Sequence, residues 1–264
     1  ASGKSFEEGV KKLFSEIRGS LSFLALTATG IYAVRDKKGR STLVIGQKKG
    51  SLAVASESCA FPNLGFAFKK ELKPGEVIFL SKNSIQKITH LKSEQKYCAF
   101  NWIYTGYPAS SYNGVSVEEV RERSGANLAR EDLKKGLKAD LVAGIPDSGT
   151  AYAIGYGQEA KVPLRRVLVK YTPGYGRSYL PPSRKERDQV AQKKLLPIPA
   201  LIRGKKIVIC DDSIVRGTQL RNQVVNRLWE YKAAEIHLRI GCPPLLFTCP
   251  YFLSTRTKAE LAAR

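Results

Sequence analysis

The chain has 264 residues and 43% hydrophobic content, enough for one large or two modest domains with real cores, which excludes a disordered chain. Apolar runs such as Ile31–Val34 and Ile207–Cys210 fall far short of the ~20 residues a membrane span needs, and no charged-then-apolar leader opens the sequence; the expectation is a cytoplasmic protein without a membrane partner. A formal charge of +21, from 44 Lys and Arg against 23 Asp and Glu, suits nucleic acid, a polyphosphorylated small molecule or a solvated basic surface.

The basic residues are scattered doublets, Lys11-Lys12, Lys48-Lys49 and Lys193-Lys194 among them, with no aromatic-studded RNA-binding pattern, so nucleic acid is not the expected partner. The chain has two histidines, which disfavours imidazole acid–base chemistry. Its five cysteines, Cys59, Cys98, Cys210, Cys242 and Cys249, form no C-x-x-C pair, so neither a disulfide framework nor a complete zinc site is legible. There is no Met, as expected of a fragment or of a sequence stripped of modified methionines.

Along the chain, helical periodicity opens at Phe6–Ile17. From Gly19 to Leu80 short β-like runs follow ("SLSFLALT", "IYAVRD", "TLVIGQ", "LAVASES", "GEVIFL"), separated by Gly, Asn and Lys turns at antiparallel spacing. After a polar stretch from Lys82 the pattern alternates: strand "ADLVAGIP" (139–146), loop "DSGT", helix-like "AYAIGYGQEA", strand "RRVLVK" (165–170), strand "KKIVIC" (205–210), a helix from Thr218, and strand "EIHLRI" (235–240). Strands alternating with helices predict a doubly wound parallel sheet.

The loop after Cys210 carries two acids, Asp211 and Asp212, then Ser213 to Thr218 with Arg216 and Gly217. It falls at the carboxyl end of a buried strand and before a helix, where open α/β sheets bind ligands. Backbone N–H groups and the hydroxyls of Ser213 and Thr218 can ring a phosphate there, and Gly217 allows close approach. The two carboxylates suit vicinal ribose hydroxyls, directly or through Mg²⁺. An acidic turn before a helix cap is the competing reading.

"IVICDDSIVRGTQ" resembles the phosphoribosyl pyrophosphate (PRPP) signature of type I phosphoribosyltransferases, in the version found in the amidophosphoribosyltransferase family. "GIPDSGTAYAIGY" (144–156) resembles that family's pyrophosphate-side loop, which implies PRPP contacts at Asp147, Ser148 and Gly149, with Ser148, Asp211 and Asp212 at magnesium. "GRSYLPPS" (176–183) resembles its mobile loop, "CAFNWIYTGYP" (98–108) its linking segment, and "IYAVRD" and "VASESCA" the second half of its glutaminase domain.

The resemblance implies two parts. Residues 1–92 would be the partial, antiparallel α+β second half of an N-terminal-nucleophile glutaminase, and residues 93–264 an α/β type I phosphoribosyltransferase domain. It implies transfer of ammonia, from glutamine in the full-length enzyme, to PRPP, with purine nucleotides as feedback inhibitors and a homo-oligomeric state, dimer or tetramer. Lys170 and Arg177 would neutralise the departing pyrophosphate, and closure of residues 171–187 would exclude water. Cys98 and Cys249 resemble two of four ligands of a [4Fe–4S] cluster, which some family members hold.

The departures are specific. The family's nucleophilic cysteine, arginine loop and Asn-Gly oxyanion site have no counterpart in this sequence, Gln219 stands where a Thr is usual, and "KYTPGYGRS" is one residue longer than the common form. A base-salvage phosphoribosyltransferase, or a regulatory protein that binds PRPP or nucleic acid without turnover, remains open on these residues.

Overall fold

The computed structural model describes residues 4–17, 19–171, 195–217, 220–249, 251 and 257–264. Two compact units form, one from Ala1–Val117 with Pro250–Leu253, the other from Glu118–Cys249 with Ser254–Arg264.

The first unit opens with helix α1 (Phe6–Glu16), whose N-cap Ser5 accepts from the Glu8 amide and which buries Val10 and Phe14. Strands β1 (Phe23–Leu26), β2 (Ile31–Val34), β3 (Val44–Lys48), β4 (Ser51–Ala55), β5 (Ala67–Glu71), β6 (Glu76–Leu80) and β7 (Ile85–His90) follow. They pair antiparallel throughout, in a four-stranded sheet ordered β1-β2-β6-β7 and a three-stranded sheet ordered β4-β3-β5. β5 and β7 escape the sequence reading because "AFKKE" and "IQKITH" carry too few apolar residues to show a buried face. A short hairpin, β8 (Ser111–Tyr112) and β9 (Val115–Ser116), turns through Asn113 and Gly114, both at positive φ as such two-residue turns demand.

The expected boundary at 92/93 differs from the division of the compact units after Val117. The reason is hydrogen bonding that polarity alone does not reveal. The Glu94 and Lys96 amides donate to the carbonyls of Lys37 and Lys38 at 3.1 and 2.8 Å. The Tyr107 amide and the Ser110 hydroxyl donate to the Glu57 carboxylate at 3.0 and 2.7 Å.

The second unit is built on a parallel sheet. Helix α2 (Val117–Lys134) leads to β10 (Leu141–Gly144), α3 (Thr150–Ala160), β11 (Leu168–Lys170), β12 (Leu195–Pro197), α4 (Pro199–Ile202) and β13 (Lys206–Asp211). A π-helical turn, Leu220–Val225, runs into α5 (Asn226–Glu230), and β14 (Glu235–Ile240) completes the sheet, ordered β10-β13-β14. β13 explains the order. Ile207 and Ile209 enter one core with Leu141, Val167 and Leu228, while Val208 and Cys210 enter the opposite one with Tyr152, Ala153 and Tyr156. A strand buried on both faces must be central and reads as a continuous apolar run; each such side chain contributes about 1.5–3 kcal/mol.

Two elements depart from expectation. β11 does not enter the parallel sheet but pairs antiparallel with β12. The helix expected from Thr218 is a π turn and a short α segment over the described residues, and Thr218 itself lies outside them.

Asp132, at 4% exposure on α2, accepts from Arg239 Nε and Nη2, both at 2.6 Å, and from the Tyr156 hydroxyl at 2.7 Å. Burial raises its carboxyl pKa, but the hydrogen bonds from Arg239 and Tyr156 win and hold it below the ordinary value. Asp132→Ala leaves the Arg239 guanidinium without its counter-charge, so urea titration at pH 7 is expected to show a loss of about 3 kcal/mol. Because the folded pKa is depressed, the contribution is present above the unfolded value near about 4 and disappears as pH falls through the folded value, so parent and variant should converge in acid.

Candidate active site

The candidate site is made by two loops at the carboxyl ends of neighbouring parallel strands, Gly144 of β10 standing in register with Cys210 of β13. The Ile145 amide donates to the Cys210 carbonyl at 3.0 Å, which carries the strand pairing one residue into the loop. The loop then turns back over the end of β13. At Gly149 a Cβ would stand 1.9 Å from the Cys210 carbonyl oxygen, so only glycine lets the backbone cross there. Beyond Gly149 the chain enters α3, where the Thr150 amide donates to the Asp147 carbonyl at 3.3 Å and the Ala153 amide to the Gly149 carbonyl at 3.0 Å.

This crossing joins the predicted residues. Ser148 Oγ donates to Asp211 Oδ1 at 2.6 Å, across 63 residues of sequence. The Asp212 amide donates to the same oxygen at 2.9 Å, and Ser213 Oγ donates to Asp212 Oδ1 at 2.9 Å. Burial pushes the Asp211 carboxyl up to about 6, the Ser148 hydrogen bond opposes it, and the neighbouring Asp212 charge adds to it. Burial likewise raises Asp212, opposed by Ser213 and by the Arg121 charge. Two carboxylates and a hydroxyl, with raised proton affinity, are an oxygen-only donor set that fits a small hard cation such as Mg²⁺, completed by substrate oxygens and water.

The remaining predicted residues divide. Lys170, at the end of β11, pairs with Asp147 Oδ2 at 3.1 Å, with both side chains largely in solvent. Gly217 holds φ +71°, as the loop's close turn requires. Arg216 Nε donates to Glu260 Oε2 at 3.2 Å, and the two form an ion pair. Nearby the Ala262 amide donates to the Val215 carbonyl at 2.8 Å, so residues 257–264 brace the loop. The sequence reading missed Glu260 and Ala262, since the bracing is long-range and leaves no local motif. Arg177, Thr218 and residues 172–187 of the expected mobile loop lie outside the described residues.

Among the described residues no group of three or more His, Cys, Asp and Glu side chains converges. Cys249 is exposed and Cys98 partly buried.

A doubly wound parallel sheet with paired acids at the end of its central strand, preceded by antiparallel sheets, defines a type I phosphoribosyltransferase fold with part of a glutaminase domain. No protein-family model matches the chain. It is 35% identical over 272 residues to the amidophosphoribosyltransferase of Methanocaldococcus jannaschii, covering 97% of this chain and 57% of that protein. It is 33% identical over 260 residues to the Bacillus subtilis amidophosphoribosyltransferase, covering 98% and 54%. The fold matches the solved structure of the B. subtilis glutamine PRPP amidotransferase complexed with ADP and GMP, with TM-score 0.87 and 32% identity, over 100% of this chain and 57% of that one. The chain is thus homologous over nearly its whole length to the amidophosphoribosyltransferase family, and it spans about half the length of the curated relatives it matches.

The raised Asp211 pKa makes a sign-definite prediction for metal-free protein. A carboxyl whose folded pKa of about 6 exceeds its ordinary 3.8 supports the fold below that lower value and loses its contribution as pH rises through the folded one. Asp211→Asn removes this dependence. The variant should therefore gain up to about 3 kcal/mol on the parent between pH 4 and pH 7, read as diverging melting temperatures; a gap constant with pH would contradict the assignment.

Proposed function

We propose that this chain carries the phosphoribosyl-transfer site of an amidophosphoribosyltransferase. The full enzyme would transfer ammonia, drawn from glutamine, to PRPP, giving 5-phosphoribosylamine, pyrophosphate and glutamate, the first step of de novo purine biosynthesis. The observation that carries the reading is the Ser148–Asp211 contact at 2.6 Å, because it brings a pyrophosphate-side loop and a ribose-side loop to one point at the end of the parallel sheet.

In this reading Asp211 and Asp212 accept hydrogen bonds from the two ribose hydroxyls and fix the sugar's face. Ser213, Arg216, Gly217 and Thr218 surround the 5′-phosphate, with backbone N–H groups as its main partners. Asp147, Ser148 and Gly149 line the pyrophosphate side. Ser148, Asp211 and Asp212 would hold Mg²⁺, which supplies positive charge against the phosphate oxygens when bound. Lys170 would exchange its exposed partner Asp147 for the leaving pyrophosphate, joined by Arg177, so that positive charge meets negative charge as it accumulates.

Ammonia brings its own lone pair to the anomeric carbon as the C–O bond to pyrophosphate breaks. No protein base is needed to create the nucleophile, which accords with a chain of two histidines. Purine nucleotides, of which ADP and GMP are bound in the B. subtilis structure, are proposed as feedback ligands of a cytoplasmic homo-oligomer. Among the described residues no helix is long and apolar enough to cross a membrane.

The test is pyrophosphate release from PRPP and Mg²⁺ with ammonium salts as nitrogen donor, which makes sugar transfer independent of glutamine hydrolysis. Activity should rise with pH as free ammonia replaces ammonium. The double variant Asp211→Asn, Asp212→Asn should stay folded and lose PRPP binding in titration calorimetry by at least about a hundredfold, as expected when charged contacts are removed. Unchanged affinity would sink the assignment.

A further inference from the structure

Arg216 stands in the loop proposed to receive the 5′-phosphate, yet its partner there is an acid. Its Nε donates to Glu260 Oε2 at 3.2 Å and its Nη2 meets the same oxygen, so Glu260 engages one edge of the guanidinium. The Arg216 side chain is 62% exposed and that of Glu260 28%, and an ion pair so open to water contributes little to the fold. An unpaired carboxylate beside a phosphate loop would also repel its ligand. The pair therefore has a reason other than stability.

Glu260 is held firmly enough to act on its partner. It closes a 3₁₀ turn, Lys258–Glu260, and the next residue, Leu261, is buried and donates its amide to the Lys258 carbonyl at 3.1 Å. The Ala262 amide donates to the carbonyl of Val215, the residue before Arg216, at 2.8 Å, and a Cβ at Gly217 would lie 3.5 Å from the Ala262 Cβ. Arg264 Nε donates to the Leu246 carbonyl at 2.7 Å. Lys258 Nζ and the Arg264 guanidinium lie over the Phe247 ring, 5.3 and 4.9 Å from its centroid. The carboxylate thus stands on a segment bonded both to the loop it serves and to residues 246–247.

We infer that Glu260 is a positioning residue for the 5′-phosphate: by holding the Nε–Nη2 edge of Arg216 it restrains a solvent-exposed side chain and leaves the opposite guanidinium edge for phosphate oxygens. This rests on the PRPP reading of the site. A guanidinium carries five N–H donors in a rigid plane, so it can hold a carboxylate along one edge and a phosphate along the other, which a lysine ammonium cannot do. The rotamer freedom of the long side chain is then lost before the ligand arrives and not at the expense of its affinity. The Glu260 charge, offset by the arginine it holds, no longer opposes the phosphate.

The experiment is calorimetric binding of two probes in Mg²⁺, PRPP and inorganic pyrophosphate, to the parent, Glu260→Gln, Arg216→Gln, Arg216→Lys and the double variant Glu260→Gln, Arg216→Gln, with thermal melts of each. Glu260→Gln should weaken PRPP binding about threefold to tenfold and leave pyrophosphate affinity unchanged, because pyrophosphate lacks the 5′-phosphate. In the Arg216→Gln background Glu260→Gln should cost nothing further. Arg216→Lys should not recover the PRPP affinity of the parent, because an ammonium held by Glu260 has no second edge. Melting temperatures should fall by no more than about 4 °C, as for loss of an exposed pair. PRPP affinity that Glu260→Gln leaves unchanged would overturn the inference, as would losses equal for both probes, which mark damage to the fold. Arg216→Lys binding PRPP as the parent does would reduce the pair to a brace of the loop and overturn it too. A parent that binds no PRPP would instead overturn the PRPP reading, and the role of Glu260 with it.

Discussion

The second unit is organised around one electrostatic constraint: two adjacent carboxylates at the end of a strand whose preceding residues are buried on both faces. Strand β13 earns its central place by inserting Ile207 and Ile209 into one core and Val208 and Cys210 into the other. That burial carries the dry interior up to Asp211, where it raises a carboxyl to about 6. Hydroxyl donors from Ser148 and Ser213 and the amide of Asp212 reduce the cost without removing it. The proposed cation would offset what burial still costs these two carboxylates. Instability without ligand and affinity for ligand have the same physical origin.

Holding such groups in register requires close backbone packing, and glycines make it possible. Gly149 lets the pyrophosphate-side loop cross the end of β13, Gly144 admits that same loop against β10, and Gly125 and Gly155 bring α2 and α3 into contact. At each a Cβ would meet backbone atoms, which cannot swing aside as a flexible side chain can. The rigidity is local to the loops that would position ribose and pyrophosphate, where an error of an ångström costs catalytic efficiency.

Legibility followed from how strongly local sequence encodes each feature. The strand at 205–210, its acidic loop and the following Gly217 are contiguous, so composition and order suffice, and the structure places Asp211 and Ser148 together as two loops on adjacent strands must be. Helix α2 left no apolar period to read, because its buried stripe is Val, Arg, Gly, Ala and Asp, stabilised by pairing and glycine contact. β5 and β7 were invisible for a related reason, since their lysines and glutamine face solvent. The resemblance puts residues 93–117 in the second part, yet carboxylate and backbone bonds at Glu57, Lys37 and Lys38 tie them to the strands before them. Glu260 was missed because it pairs with Arg216, a residue distant in sequence.

The net charge of +21 acquires a meaning through the chemistry proposed for the site. A strongly basic surface raises the local concentration of a polyanion such as PRPP and speeds its encounter, an effect that weakens with salt. It also repels ammonium. Free ammonia is neutral and feels no such barrier, so the same field that gathers the sugar phosphate discriminates between the two protonation states of the nitrogen donor in favour of the reactive one. The exposed Lys170–Asp147 pair fits this picture at the scale of one residue. A solvated ion pair is worth little on its own, so in the proposed reaction Lys170 would leave Asp147 for a pyrophosphate oxygen at small cost, and the charge that draws the substrate in would become charge that stabilises its leaving group.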